Sequence, residues 1–528
     1  MKRKLYILIS IVSVIFVMLG CYEDKSSLNY KLMNPITIDN GGENTSYKVF
    51  AFNKLTIKPI VYREGIEDKD LSYDWTISGN NIVPKSIGHN MTLDTIIDVN
   101  PESNSYKLLF SVTDNTTSIS VDQTYEVSVR SAFGSGLIVC DTRDEKTSDV
   151  SLVMAYNFTG GMKVENDTIM SDLFSRVNKR KIDGVATSVT SSIYGTNRSL
   201  TIGTDHTIDR VDPFNYTYID GDGDAFIIDP GVYNVTTLVF PSNVGNELMA
   251  IGGKIYPRFM QQNNKRYSYY LLTNDLSDYS IKKFCRPTWE DGIGFDELNG
   301  RFLEFDGASK LMILKKSRWD GEELAFDPNE LKDFTCLTIF SGYNSRLYSI
   351  LKNKETEGIY VYETLRAYPW GDDKVNNGKP MRILNLSDCP DIKNASFFDS
   401  SEKQAVIYYA TENKIYSVNF TSGLITKVEY EAPEGETITS MMLWKSYQGM
   451  VDYANPDPEA EEDDKINHTS TSNRMIVLTT YNSAKKEGVV RTMAISNLGW
   501  GTLEKDTKLH GKFDGFGRIT AINIQKAF

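Results

Sequence analysis

From residue 134 to the C-terminus one kind of segment recurs, and that recurrence constrains the fold more than any other feature. Short alternating runs rich in Val, Ile, Thr and Tyr come in pairs and triplets. Gly136–Asp141 with Val150–Tyr156 opens the series, and Val185–Tyr194 with Ser199–Asp205 follows. Ala395–Asp399, Ala405–Ala410 and Lys414–Phe420 form the clearest triplet, closed by the turn Thr421-Ser422-Gly423. The groups repeat roughly every 40 to 60 residues, a period at which small sheets must stack on one another to bury their faces. The pattern predicts a β-propeller over 134–528. Seven blades fit the spacing best, and eight is the next count. The terminal run Arg518–Gln525 is expected to pair with the first group, which would remove an open edge. Trp-Asp and kelch signatures are absent, and a second pair of sandwiches is the competing fold.

Residues 35–131 read differently. Tyr47–Phe52, Lys54–Tyr62, Leu71–Ser78, Asn90–Ile97, Tyr106–Asp114 and Ile119–Arg130 are strand-like runs broken by Asn40-Gly41-Gly42 and Gly79-Asn80-Asn81. Six or seven short strands in about 100 residues predict an immunoglobulin-like β-sandwich. Trp75 lies mid-strand and is expected to fill its core. Helical periodicity is nearly missing after residue 30, so the whole chain is expected to be all-β. With 40% hydrophobic residues it can build sizeable cores, and a net charge of -13 excludes nucleic acid as a partner.

The N-terminus carries an address. Lys2, Arg3 and Lys4 precede an apolar run from Leu5 to Leu19, and Gly20 precedes Cys21. This is a signal peptide over 1–20, too short for a comfortable membrane span. The ending resembles a bacterial lipobox, with Met18 where Leu is usual, and makes Cys21 the lipidation site. Residues 21–34 then form a lipidated tether that spans at most about 40 Å when fully extended. The acidic pair Glu23-Asp24 resembles a signal for the outer face of the outer membrane. Of the five cysteines, Cys140, Cys285, Cys336 and Cys389 lie beyond the tether and read as buried thiols, a disulfide being the alternative in an oxidising compartment.

The lipobox, Tyr22-Glu23-Asp24-Lys25, Lys54-Leu55-Thr56-Ile57-Lys58-Pro59, Tyr73-Asp74-Trp75, the strand ending Val112-Thr113-Asp114, and Ser135–Cys140 together resemble the PKD-like lipoproteins of Bacteroidota. The resemblance covers about residues 20 to 155. It implies a lipid-anchored protein of the outer membrane, facing the cell exterior. It also implies a barrel-type nutrient importer and its lipoprotein lid as neighbours, and it carries over no catalytic residue.

Candidate ligand contacts are aromatic residues beside acids. Trp370, with Tyr368 and Asp372, leads Trp289 and Trp319, because a ring face stacks on sugar C–H groups while carboxylates accept hydroxyl hydrogens. Asp220, Asp222 and Asp224 alternate in a glycine-rich turn and suggest Ca²⁺, although the EF-hand spacing fails at Ala225 and Gly231. A plain solvated hairpin is the competing reading, and no cofactor is expected. Residues 452–465 carry seven acids and one base and are expected to be a solvated loop. No nucleophile elbow, metal-ligand histidine spacing or phosphate loop is present. The expected function is a non-enzymatic surface lipoprotein that binds a glycan or peptide within a nutrient-uptake system. A propeller-fold polysaccharide hydrolase or lyase, and a purely structural accessory subunit of the importer, are the alternatives.

Overall fold

The computed structural model describes residues 36–40, 45–50, 53–63, 68–79, 82–99, 104–130, 133–155, 157–158, 167–194, 197–241, 245–260, 265–287, 292–306, 309–365, 378–445, 472–497, 499–504 and 510–525. More than half of them are strand, the rest being mostly turns and loops, with one short α-helix, Leu173–Asn178. The chain divides into two compact units, one of Met1–Val99 with Asn104–Val129 and one of Asn100–Ser103 with Arg130–Phe528.

The first unit is the expected immunoglobulin-like sandwich. One sheet orders Ser46–Phe50, Ile119–Arg130, Tyr106–Asp114, Leu71–Gly79 and Ile82–Gly88. Opposite it lie two hairpin-like pairs, Lys54–Ile57 with Leu93–Ile96 and Thr37–Asp39 with Ile60–Tyr62. Alternation does the work here. Tyr106, Leu108, Phe110 and Val112 point into one core, together with Leu55, Ile57 and Leu93 from the other layer. Trp75 is fully buried, stacked on Phe110 at 4.2 Å between ring centres, and its indole N–H donates to Asn90 O at 2.8 Å. Asp114 ends its strand for a physical reason. Arg63 lies 2.5 Å from its carboxylate, and the Thr116 N–H donates to it at 2.8 Å. Arg63, with the turn hydroxyls and N–H, holds this carboxyl well below the usual carboxylate range.

The second unit holds seven sheets among the described residues. Sheet I orders Arg518–Gln525, Gly136–Thr142, Thr147–Met154 and Thr168–Met170. Sheet II orders Ala186–Tyr194, Asn197–Thr204, Ile208–Val211 and Tyr218–Gly221. Sheet III is Val235–Val239, Asn246–Ile251 and Lys254–Phe259. Sheet IV is Ile281–Cys285, Ile293–Asp296, Arg301–Asp306 and Lys310–Ile313, with Leu272–Thr273 added in parallel at its edge. Sheet V is Phe334–Gly342, Arg346–Asn353, Ile359–Leu365 and Pro380–Asn385. Sheet VI is Phe397–Ser400, Val406–Ala410, Lys414–Asn419 and Ile425–Glu431. Sheet VII is Glu436–Leu443, Met475–Asn482, Glu487–Asn497 and Thr502–Glu504, with Gly511–Phe516 also on its third strand. The first strand named in each sheet is its lead strand.

Middle strands of these sheets are buried on both faces, which a one-sided sandwich strand is not. In Val406–Ala410 every residue is buried. Ile407 and Tyr409 pack toward sheet V, whereas Val406, Tyr408 and Ala410 pack toward sheet VII. Gly136–Thr142 does the same, sending Ile138 and Cys140 toward sheet II and Leu137 and Val139 toward sheet VII. Apolar clusters therefore lie between I and II, II and III, III and IV, IV and V, V and VI, VI and VII, and VII and I. The lead strands neighbour one another in the same order, and that of sheet VII neighbours that of sheet I.

Sheet I joins the two ends of the unit. Arg518–Gln525 pairs antiparallel with Gly136–Thr142, from Gly136 opposite Gln525 to Thr142 opposite Arg518. A Cβ on Gly517 would sit 2.4 Å from Thr142 O, so the approach to this strand requires glycine. The Gly517 N–H donates to Asp141 Oδ2 at 2.5 Å. Burial pushes the Asp141 carboxyl up to about 6, against the pull of this N–H and of Arg143. Because the folded value lies above the unfolded one, this group's contribution is present below about pH 4 and is lost as pH rises through about 6. Asp141→Asn keeps an acceptor without the charge. The expected outcome is a gain of about 1–3 kcal/mol at pH 7 and almost none at pH 4, read from denaturant melts of both proteins.

Candidate functional site

The lead strands surround a cavity with a volume of about 380 Å³. Sheet II contributes Thr187 and Ser188, sheet III Thr236 and Thr237, sheet IV Lys283 and Arg286, and sheet V Thr338 and Ser341. Asp399 comes from sheet VI, Met442 and Lys445 from sheet VII, and Asn523 from sheet I. In sheets II and III two consecutive residues line it where the lead strand carries a register irregularity, and Arg286 and Lys445 lie just past the ends of their lead strands.

Its electrostatics are uneven. Lys445 is buried and donates to Asp399 Oδ1 at 2.5 Å and to Ser341 O at 2.9 Å. Asp399 also accepts the Ser400 N–H at 2.8 Å and the Leu443 N–H at 2.8 Å, so both of its oxygens are engaged. Lys283 has a weaker environment. Its ammonium donates to Thr236 O at 3.3 Å, and no described carboxylate lies within 4 Å of it. Burial pulls its pKa down, which Glu297 nearby only partly offsets. Arg286 is buried with its guanidinium 5.7 Å from the centre of the Phe305 ring. In a chain of net charge -13, Lys283 gives this cavity a cation with no described carboxylate within 4 Å.

A second cleft lies over sheets V and VI, lined by Tyr343, Arg346, Glu363, Arg382 and Lys403. Glu363 is clasped by Arg346 at 3.2 Å and Arg382 at 2.7 Å. Leu365, opposite Arg346 in the sheet, is the last described residue before segment 366–377. That segment contains Tyr368, Trp370 and Asp372, which lie outside the described residues, as do Trp289, Cys21 and the acidic stretch 452–465.

Trp319 is described, and it does not serve as a sugar platform. It sits in a 3-10 turn, Lys316–Trp319, with 2% of its surface exposed, packed with Phe302, Leu314, Phe326 and Leu331. A ring with both faces buried has nothing to offer a ligand. The acids after it marked the turn, not a binding face.

The three aspartates of the glycine-rich turn also diverge. Asp220 pairs with buried Arg210, Nε to Oδ1 at 2.5 Å. Asp222 caps sheet II by accepting the Ile208 N–H at 2.8 Å, and Asp224 is exposed. Among the described residues no group of three or more His, Cys, Asp or Glu is arranged to hold a metal ion. The strand end turns Asp220 to Arg210, whereas Asp222 and Asp224, in the 3-10 turn Asp222–Ala225, line a cleft with Asp183, Asp209 and Asp229. Cys140, Cys285, Cys336 and Cys389 are free thiols, and burial pushes the first and third well above the usual thiol range. No helix among the described residues is long and apolar enough to cross a membrane.

Sequence reasoning missed Lys283, Asp399, Lys445 and Asn523. Lys283, Asp399 and Asn523 lie inside lead strands and Lys445 two residues past one, so a polar residue within or just beyond an alternating run was the available signal.

Residues 21–185 match the sequence model of the PKD-like family. The match extends beyond the sandwich through three strands of sheet I and stops after Ile182–Asp183, which pairs with the second of them. No curated protein matches the sequence. Among solved structures, Hsv2 of Kluyveromyces lactis is similar at 9% identity and a TM-score of 0.31, over 65% of this chain and 98% of that one.

Proposed function

We propose that this protein is a non-enzymatic lipoprotein of the bacterial outer membrane, anchored through Cys21, exposed at the cell surface and acting as a binding component of a nutrient-uptake system. The residues beyond the sandwich are read as a seven-bladed β-propeller closed by pairing of Arg518–Gln525 with Gly136–Thr142. Support for that reading is the cyclic order in which seven sheets share apolar clusters. A barrel-type importer with its lipoprotein lid is the proposed neighbour, and a glycan or peptide the proposed cargo.

The observation that carries the binding role is the cavity among the lead strands, where side chains from all seven sheets converge and the half-buried Lys283 has no carboxylate within 4 Å among the described residues. Placement at the surface rests on Gly20-Cys21 and the acids that follow. Protease shaving of intact cells tests it. The protein is expected to be cleaved as fast on intact cells as after outer-membrane rupture. Protection until rupture would put it on the periplasmic face and end the surface assignment.

A further inference from the structure

We propose that the cavity among the lead strands binds one small hydroxylated carboxylate, of the sugar-acid class, with Lys283 as the cation that meets the carboxylate. The inference rests on the reading of the C-terminal unit as the ligand-binding part of the protein, and it adds the ligand's chemistry.

Charge comes first. Asp399 is the one carboxylate lining the cavity among the described residues, and it is saturated by Lys445 and two backbone N–H groups. That pair cancels. Lys283 is left with a single long hydrogen bond, to Thr236 O at 3.3 Å. An ammonium so placed has no carboxylate in direct contact among the described residues, Glu297 acting on it only from a distance. A ligand carboxylate would supply both a charge and acceptors, which is the strongest available form of hydrogen bond.

The hydroxyls then discriminate among anions. Thr187 Oγ1 donates to Val235 O at 2.6 Å. Thr237 Oγ1 donates its hydrogen to Thr236 O at 2.7 Å or Lys282 O at 2.8 Å. Each threonine has one hydrogen, and the main chain takes it. Their oxygens are therefore left as acceptors, and acceptors call for ligand donors. Sulfate has none, a neutral sugar has donors without the charge, and a sugar acid has both. The volume of about 380 Å³ suits one such molecule.

The experiment is calorimetric titration of the full-length protein, purified in detergent, with D-glucuronate, D-glucose and sodium sulfate. Saturable binding of glucuronate is expected, with glucose and sulfate at least about tenfold weaker. Lys283→Met is expected to weaken glucuronate about tenfold or more while the melting temperature holds or rises, since a half-buried charge has gone. Thr237→Val, which leaves the lysine in place, is expected to weaken glucuronate and leave sulfate unchanged. Glucuronate binding no tighter than glucose overturns the proposal, as does binding undiminished in Lys283→Met. Sulfate competing on equal terms overturns the hydroxyl part and with it the sugar-acid class. A protein that is shaved from cells yet fails this titration loses its ligand and keeps its location. One that binds glucuronate yet stays protected does the reverse.

Discussion

Glu247→Ala is expected to cost the C-terminal unit about 3–5 kcal/mol. Glu247 and Arg258 stand opposite each other in adjacent strands of sheet III, both almost fully buried. Their side chains pair directly, the Tyr267 hydroxyl donates to the other carboxylate oxygen, and Arg258 donates to Ser199 Oγ at 2.5 Å. Burial pushes the Glu247 carboxyl up, but Arg258 and the Tyr267 hydrogen bond outweigh it and hold the group ionised. The intact pair is close to break-even against apolar packing, because two charges have been taken out of water. Removing one member is another matter. Arg258 would remain as an uncompensated buried cation beside the Tyr267 ring. The damage would reach sheet II through Ser199. Urea melts followed by tryptophan fluorescence measure the loss. The double variant Glu247→Ala, Arg258→Met should recover most of it, and a double variant as weak as the single one would show that packing, not the stranded charge, sets the cost.

That network shows where sequence reading stops. The strands themselves were legible, because alternation and turn residues are local. Ala395–Asp399, Ala405–Ala410 and Lys414–Phe420 reappear within a residue or two as Phe397–Ser400, Val406–Ala410 and Lys414–Asn419. The pairing of Arg518–Gln525 with the first group was legible too, since an unpaired terminal strand must find an edge. Burial of charge was not. Glu247, Arg258 and Arg210 look like ordinary surface residues in sequence, and only the stacking of sheet on sheet encloses them. Trp319 failed for the converse reason. The acid after it suggested a ring beside carboxylates, yet the indole packs inward, and Arg318 before it turns to Glu304 at 2.6 Å. The cavity was illegible because its parts come from seven separate stretches, each contributing two to five residues. Asp220, Asp222 and Asp224 misled because their spacing was read on an open loop, whereas Asp220 belongs to a strand paired with Arg210.

Deleting residues 517–528 is expected to have the largest effect of all, preventing the C-terminal unit from folding while the sandwich survives. The lost strand carries Ile519, Ala521 and Ile524, which fill clusters on both faces of sheet I. Gln525 is fully buried, accepting from the Tyr216 hydroxyl at 2.7 Å and lying 3.2 Å from each of the Phe133, Gly134 and Pro213 carbonyls. Asn523 donates to Val189 O at 2.6 Å in the neighbouring lead strand. Without this strand, Gly136–Thr142 would present a bare, largely apolar edge, and such edges recruit other chains. The loss exceeds one strand's worth of contacts, because sheet VII and sheet II each lose a neighbour. Limited proteolysis reads the outcome: a resistant fragment ending near residue 130, with everything beyond it degraded or aggregated. A synthetic peptide of residues 517–528 added during refolding should restore protection, since the missing element is a single strand with one docking edge. A truncated chain that keeps its full protease resistance would mean that the other six sheets stand without closure, and that the order in which they share clusters is not what holds them.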